Sequence, residues 1–138
     1  MKNQWLLRNK QRASKWMFSV SENATWKLKP RIVGVPNKPS CQFVLGEQMS
    51  VVFPDVVNDI ELITFLADCH LSFNKKTRFT GYLKLLDASV QSLETWMFTK
   101  ITPVSINYAD PTGIYNGDIE LTFHFDTKEY RDFRDSSS

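Results

Sequence analysis

The sequence is poor in the residues that carry chemistry. Histidine occurs twice, at His70 and His124, and cysteine twice, at Cys41 and Cys69. There is no phosphate-binding G-x-x-x-x-G-K-S/T loop, no G-x-G-x-x-G turn and no G-x-S-x-G nucleophile turn. A zinc site needs four ligands, usually in closely spaced pairs. Here only the dipeptide Cys69-His70 brings sulfur and imidazole together, and on a strand neighbouring side chains point to opposite faces. The same divergence argues against a Cys-His catalytic pair. His124 and Asp126 share a strand face, a spacing more typical of a surface hydrogen bond than of an acid/base dyad. Asp110 and Asp118 flank a turn and are too sparse for a calcium loop. No catalytic, cofactor-binding or metal-ligating set is therefore expected, and no cofactor.

Long apolar runs are missing as well. No stretch approaches the roughly 18 residues of a membrane helix, which argues against a membrane partner. Trp5-Leu6-Leu7 is too short for the apolar stretch of a secretory leader, so synthesis and retention in a cytoplasm are expected. Glycine (5) and proline (6) are too few for a collagen-like or broadly disordered chain. Two cysteines make no disulfide framework. Two free buried thiols is the preferred reading, and one Cys41–Cys69 disulfide the alternative.

What is present is a chain of 138 residues, enough for one domain with its own core, with 13% aromatic side chains. The net charge of +2 conceals an asymmetry. Residues 1–31 hold eight basic side chains against Glu22 alone, a net of +7, and the rest holds nine basic against fourteen acidic, a net of −5. A basic arm on an acidic body has three readings. It contacts the acidic surface of a neighbouring copy, it is a solvated tail, or it binds nucleic acid.

Alternation predicts strands. Trp16, Phe18 and Val20 share one face of the first, and Trp26 to Val35 reads as an extended run closed by Pro36 and Pro39. Cys41–Leu45 and Met49–Phe53 are short apolar runs separated by Gly46-Glu47-Gln48. Ile60–Leu66 reads as a strand, with a short helix as the alternative because seven residues do not separate the two periods. Gly81–Leu86 and Leu93–Ile101 follow, the latter ended or kinked by Pro103. In Asp118–Asp126, Ile119, Leu121, Phe123 and Phe125 oppose Glu120, Thr122, His124 and Asp126. Residues 127–138 are charged and expected to fray. The outcome is a mostly β domain, an antiparallel barrel or sandwich of about seven strands with at most one short helix. Its expected limits are a basic arm at 1–15, one β-barrel domain at 16–130 and a flexible tail at 131–138.

The order Gly81-Tyr82-Leu83-Lys84-Leu85-Leu86-Asp87, Ser92-Leu93-Glu94-Thr95-Trp96-Met97-Phe98, Thr102-Pro103-Val104-Ser105 and Asp118 to Asp126 resembles the C-terminal half of bacteriophage tail tube proteins of the contractile kind. More loosely, Lys15–Val20, Val33-Gly34-Val35-Pro36 and Asn58–Phe65 resemble the elements of the first half. The family carries a helix of several turns after the last of these. Only Leu66–Thr80 remains for it here, so it is expected to be short or missing, a departure that fits a tube-initiating baseplate protein or another tail protein on the same barrel.

The resemblance implies a structural virion protein. Its copies join in rings of six that stack into a tube, meet sheath, baseplate and terminator proteins, and let DNA pass without specific binding. It implies an acidic lumen lined by Glu120, Thr122, His124 and Asp126, with Arg8, Lys10, Arg12 and Lys15 forming an arm between rings. Two other classes stand beside it. One is a small nucleic-acid-binding β-barrel using that arm with Trp5 or Trp16, and the other an enzyme with a dispersed site.

Overall fold

The computed structural model describes residues 14–72, 78–108 and 117–133. Seven strands, one α-helix and one turn of 3-10 helix at Val56–Asn58 account for them. The strands are β1 (Lys15–Val20), β2 (Arg31–Val33), β3 (Gln48–Phe53), β4 (Phe79–Leu86), β5 (Ser92–Tyr108), β6 (Ile119–His124) and β7 (Thr127–Asp132); α1 spans Ile60–Leu71. The fold is mostly β, as alternation predicts.

All named pairings are antiparallel, and the sheet runs β2-β1-β4-β5-β6-β3. β5 organises it. At 17 residues it is about 55 Å long. One edge of its first half pairs with β4. Its other edge carries β6 from Thr102 to Tyr108 and β7 from Glu94 to Thr99, so β6 and β7 act as one long return strand interrupted at Phe125-Asp126. The sheet then curls until Gly34, just past β2, meets Val52 of β3 in a reciprocal pair of hydrogen bonds, both 2.8 Å.

The concave side is the core. Phe18, Phe53, Phe98 and Phe123 meet there in edge-on or tilted contacts, with Met49, Val51, Leu83, Ile101 and Leu121 buried around them. Gly81 is required at this spot, because a Cβ would sit 2.5 Å from Ile101 Cδ1 and 3.3 Å from the Phe18 ring. A second aromatic group, Trp26, Phe65 and Phe79, packs between the 21–30 segment, α1 and β4.

Several expectations are corrected. Ile60–Leu66 is no strand but the first part of a twelve-residue helix. Leu62, Phe65, Leu66 and Cys69 fall at i, i+3, i+4 and i+7, which buries one helical face, and Asp59 caps the start by accepting from the Leu62 amide. The helix expected to be short or missing is therefore present, starting six residues earlier than the space allotted to it. Residues 41–45 are not a strand; they form an exposed loop. Only Arg31–Val33 of the 26–35 run pairs as a strand. Residues 127–132 do not fray but form β7. Of the two readings for Pro103, the kink holds: the register slips by one residue between Pro103 and Ser105 and the strand continues. Cys41 is exposed, Cys69 is buried, and both thiols are free. The arm through residue 13, the loop at 74–77, the turn at 110–113 and the end from 134 lie outside the described residues.

Candidate functional site

The convex side of β3, β6 and the second half of β5 presents a polar grid. Cross-strand partners align in three rows: Gln48, His124 and Thr102; Ser50, Thr122 and Ser105; Val52, Glu120 and Asn107. None of the nine is buried. Alternation is the cause, since the partners of these residues along each strand (Met49, Val51, Leu121, Phe123) point into the core. Three of the four residues expected to line a channel, Glu120, Thr122 and His124, are thus brought together. The partners from β3 and β5 were not foreseen. They are supplied by pairing across long sequence separations, which a linear pattern does not reveal.

The rows are linked sideways. Ser50 and Thr122 hydroxyls are 2.8 Å apart. His124 uses both ring nitrogens: Nδ1 lies 3.3 Å from the Glu47 carbonyl, and Nε2 lies 3.2 Å from the Gln48 amide nitrogen. A neutral ring that donates from Nδ1 and accepts at Nε2 satisfies both contacts. Within the grid Glu120 is the sole carboxylate, so this face is a field of hydroxyls and amides rather than the acidic surface anticipated.

Asp126 lies apart from it. Both strands of the ribbon lose alternation together: Lys100 takes a left-handed backbone, φ 50°, opposite Phe125-Asp126. There Asp126 pairs with Lys100 at 3.6 Å and with Arg78 at 3.9 Å. It forms no dyad with His124. Cys69 and His70 also diverge, by the geometry of a helix rather than of a strand: Cys69 points inward and His70 is exposed. Burial, reinforced by Asp68, pushes the Cys69 thiol up and keeps it protonated. Asp118 accepts from the Asp55 amide at 3.1 Å, a turn role. Among the described residues no three metal-ligating side chains cluster, and no helix is long and apolar enough to cross a membrane.

The arm residues Arg8, Lys10 and Arg12 lie outside the described residues. Lys15 is exposed at the start of β1. Trp16 is half-buried and packed against the core.

Among the described residues exposed apolar side chains form several patches, none foreseen, one of them around Ile32 and Val90; two others lie at residues 43–45 and on α1. The first is the tip Phe43-Val44-Leu45, exposed by 79%, 50% and 89%. It is a defined turn: Gly46 has φ 74° and the Glu47 amide returns to the Val44 carbonyl. Its base is fastened by Glu47, whose two carboxylate oxygens lie 2.9 and 2.7 Å from Lys128 Nζ of β7. The second lies along the outer side of α1, where Ile60, Ile63 and Leu71 are exposed; Ile63 lines a shallow groove with Val57 and Tyr108.

The architecture, a curled antiparallel sheet with one helix, is a fold shared with chains of solved contractile-system structures. Hcp1 from Salmonella typhimurium superimposes with a TM-score of 0.57 over 88% of this chain and 88% of its own, at 9% identity. A chain of the sheath-tube complex of an extracellular contractile injection system, PVC, gives 0.53 over 86% and 88%, at 12% identity. A chain of the anti-feeding prophage baseplate gives 0.52 over 88% and 93%, at 11% identity. At such identities the likeness is one of fold. No protein-family model and no curated protein sequence matches the chain.

Proposed function

We infer that this chain is a structural subunit that associates with copies of itself to build a tube in a contractile tail or injection apparatus. The shared fold with Hcp1 and the sheath-tube chain over more than four-fifths of each molecule carries this reading. The tube is built from rings, six subunits to a ring, stacked along an axis, and it meets sheath, baseplate and terminator proteins. Its place is in the assembled tail particle, and the subunit catalyses nothing. The basic arm, with Arg8, Lys10, Arg12 and Lys15, reaches between rings.

The lumen is lined by the β3-β6-β5 face with Glu120, Thr122 and His124; Asp126 stands at its margin. A surface of hydroxyls and amides with no cation in its nine-residue grid gives phosphate no counter-charge, so DNA passing through such a channel is not retained. The baseplate chain among the structural neighbours supports a second position, at the start of the tube.

Size-exclusion chromatography with light scattering, followed by negative-stain microscopy, tests the reading. Rings or tubes are expected. A strictly monomeric chain across a wide concentration range refutes it.

A further inference from the structure

The convex side of the sheet has a second half, and its chemistry differs from that of the polar grid. Where β1, β4, β5 and β7 lie side by side, pairing aligns Met17, Lys84, Thr95 and Arg131 in one row. Ser19, Tyr82, Met97 and Glu129 form the next. Their neighbours along the strands, Phe18, Leu83 and Trp96, are buried in the core, so alternation turns both rows outward. A groove of about 390 Å³ runs over Thr95 and Met97, with Tyr82 and Lys84 on one side and Glu129, Arg131 and Phe133 on the other. Lys84 and Arg131 flank Thr95 across two strand spacings, roughly 10 Å. Two long cationic side chains close that distance over a single bound anion. Among the described residues neither cation takes part in an ion pair or a side-chain hydrogen bond. Arg31, Lys100 and Lys128, by contrast, each have a carboxylate partner.

We propose that this groove binds an acidic, extended segment of a partner protein, with one carboxylate held between Lys84 and Arg131 above the Thr95 hydroxyl. The proposal goes beyond self-association and does not depend on it. Arg131 offers a planar fork that grips a carboxylate through two hydrogen bonds, Lys84 a point charge, and Thr95 a neutral donor between them. Tyr82, Met97 and Phe133 give the segment's other side chains an apolar bed. Nucleic acid fits this surface less well. A phosphate backbone is held by a track of cations. Here the pair is followed, two residues along β7, by Glu129, whose charge repels a second phosphate. The next outward cation on this face, Lys15, lies outside the groove. A peptide that spaces its carboxylates avoids Glu129 and still engages both cations.

The test titrates the full chain against a fluorescent, end-blocked octapeptide of alternating Glu and Leu, read by anisotropy at low salt. Replacing every Glu of the peptide by Gln should weaken binding at least about tenfold, ~1.4 kcal/mol. The Lys84→Gln/Arg131→Gln chain should lose as much. Lys27→Gln/Lys29→Gln removes the same charge at exposed positions outside the groove and should leave binding unchanged. Glu129→Gln should tighten binding, a gain that a damaged fold does not produce. A thymidine octanucleotide should bind more weakly than the peptide. A parent chain that does not bind the peptide overturns the proposal. So do equal losses in the two double variants, or an oligonucleotide that binds more tightly. If only a chain cut back to residue 133 binds, the groove is filled by the chain's own end, where Asp135 stands, and the partner reading fails.

Discussion

Lys100 Nζ lies 3.6 Å from Asp126 Oδ2, across the level at which both strands of the long ribbon abandon alternation. Lys100 adopts φ 50° there, a left-handed conformation that costs a side-chain-bearing residue about 1–2 kcal/mol. The break lets one 17-residue strand turn from the β4/β7 half of the sheet into the β6/β3 half. The ion pair is solvent-exposed and contributes no more than about 1 kcal/mol.

Lys100→Gly should therefore raise stability by about 0.5–1 kcal/mol even though it removes the pair, since glycine takes this backbone without a Cβ clash. Lys100→Val should lower it by about 1–2 kcal/mol. Chemical denaturation of both variants checks this, and equal midpoints would show that the backbone there is unstrained.

Phe123→Ala is expected to cost about 3–5 kcal/mol. Its ring is 1% exposed and contacts Phe18, Phe98 and Phe125. Phe125→Ala should cost clearly less, because that ring is half-buried at the ribbon's break. Thermal melts of the two variants decide it; an unchanged midpoint for Phe123→Ala is incompatible with this register.

Gly81→Ala should destabilise by about 1–3 kcal/mol through overpacking against Ile101 and Phe18. Because the 2.5 Å approach is to Ile101 Cδ1, the Ile101→Val change removes the clashing atom. The double variant should recover part of the loss, a positive coupling measurable in a double-mutant cycle.

Arg31 fastens β2 to the start of α1: its Nε is 2.8 Å from Asp59 Oδ2, and one terminal nitrogen is 3.1 Å from Glu61 Oε1. The hydrogen bond from Arg31 holds the Asp59 carboxyl below its ordinary value, helped by the Leu62 amide and opposed by partial burial. The unfolded chain thus binds a proton more readily than the folded one. This contribution is complete above the unfolded value, about 3.9, and is lost as pH falls through the lower folded value. Arg31→Met should flatten the acid limb of the melting-temperature profile. Parallel limbs for parent and variant would show that the pair is uncoupled from folding.

How far the sequence was legible depended on whether a signal was local. β1, β4 and β6 followed from alternation, since Phe18, Leu83 and Phe123 each repeat at every second position with buried neighbours. α1 was misread because Ile60–Leu66 taken alone fits either period; extension to Cys69 and attention to Asp59 as a cap reveal the helical one. β7 escaped because an edge strand buries little: only Lys128 and Tyr130 in it are not exposed. Residues 41–45 form an apolar run, which normally signals a buried strand. Its exposure is informative for that reason. The polar grid was one-third legible, through β6, and its other two columns depended on pairing partners 68 to 76 (β3) and 13 to 22 (β5) positions upstream.

The Gly34–Val52 contact closes the curled sheet with two hydrogen bonds, where other neighbours share three to seven paired positions. Such a closure behaves as a clasp on a cuff. Parting it forfeits about 1–3 kcal/mol, far less than melting any other strand boundary. The radius of curvature is therefore the softest property of the fold, and an outside load changes it more readily than it changes the strand order.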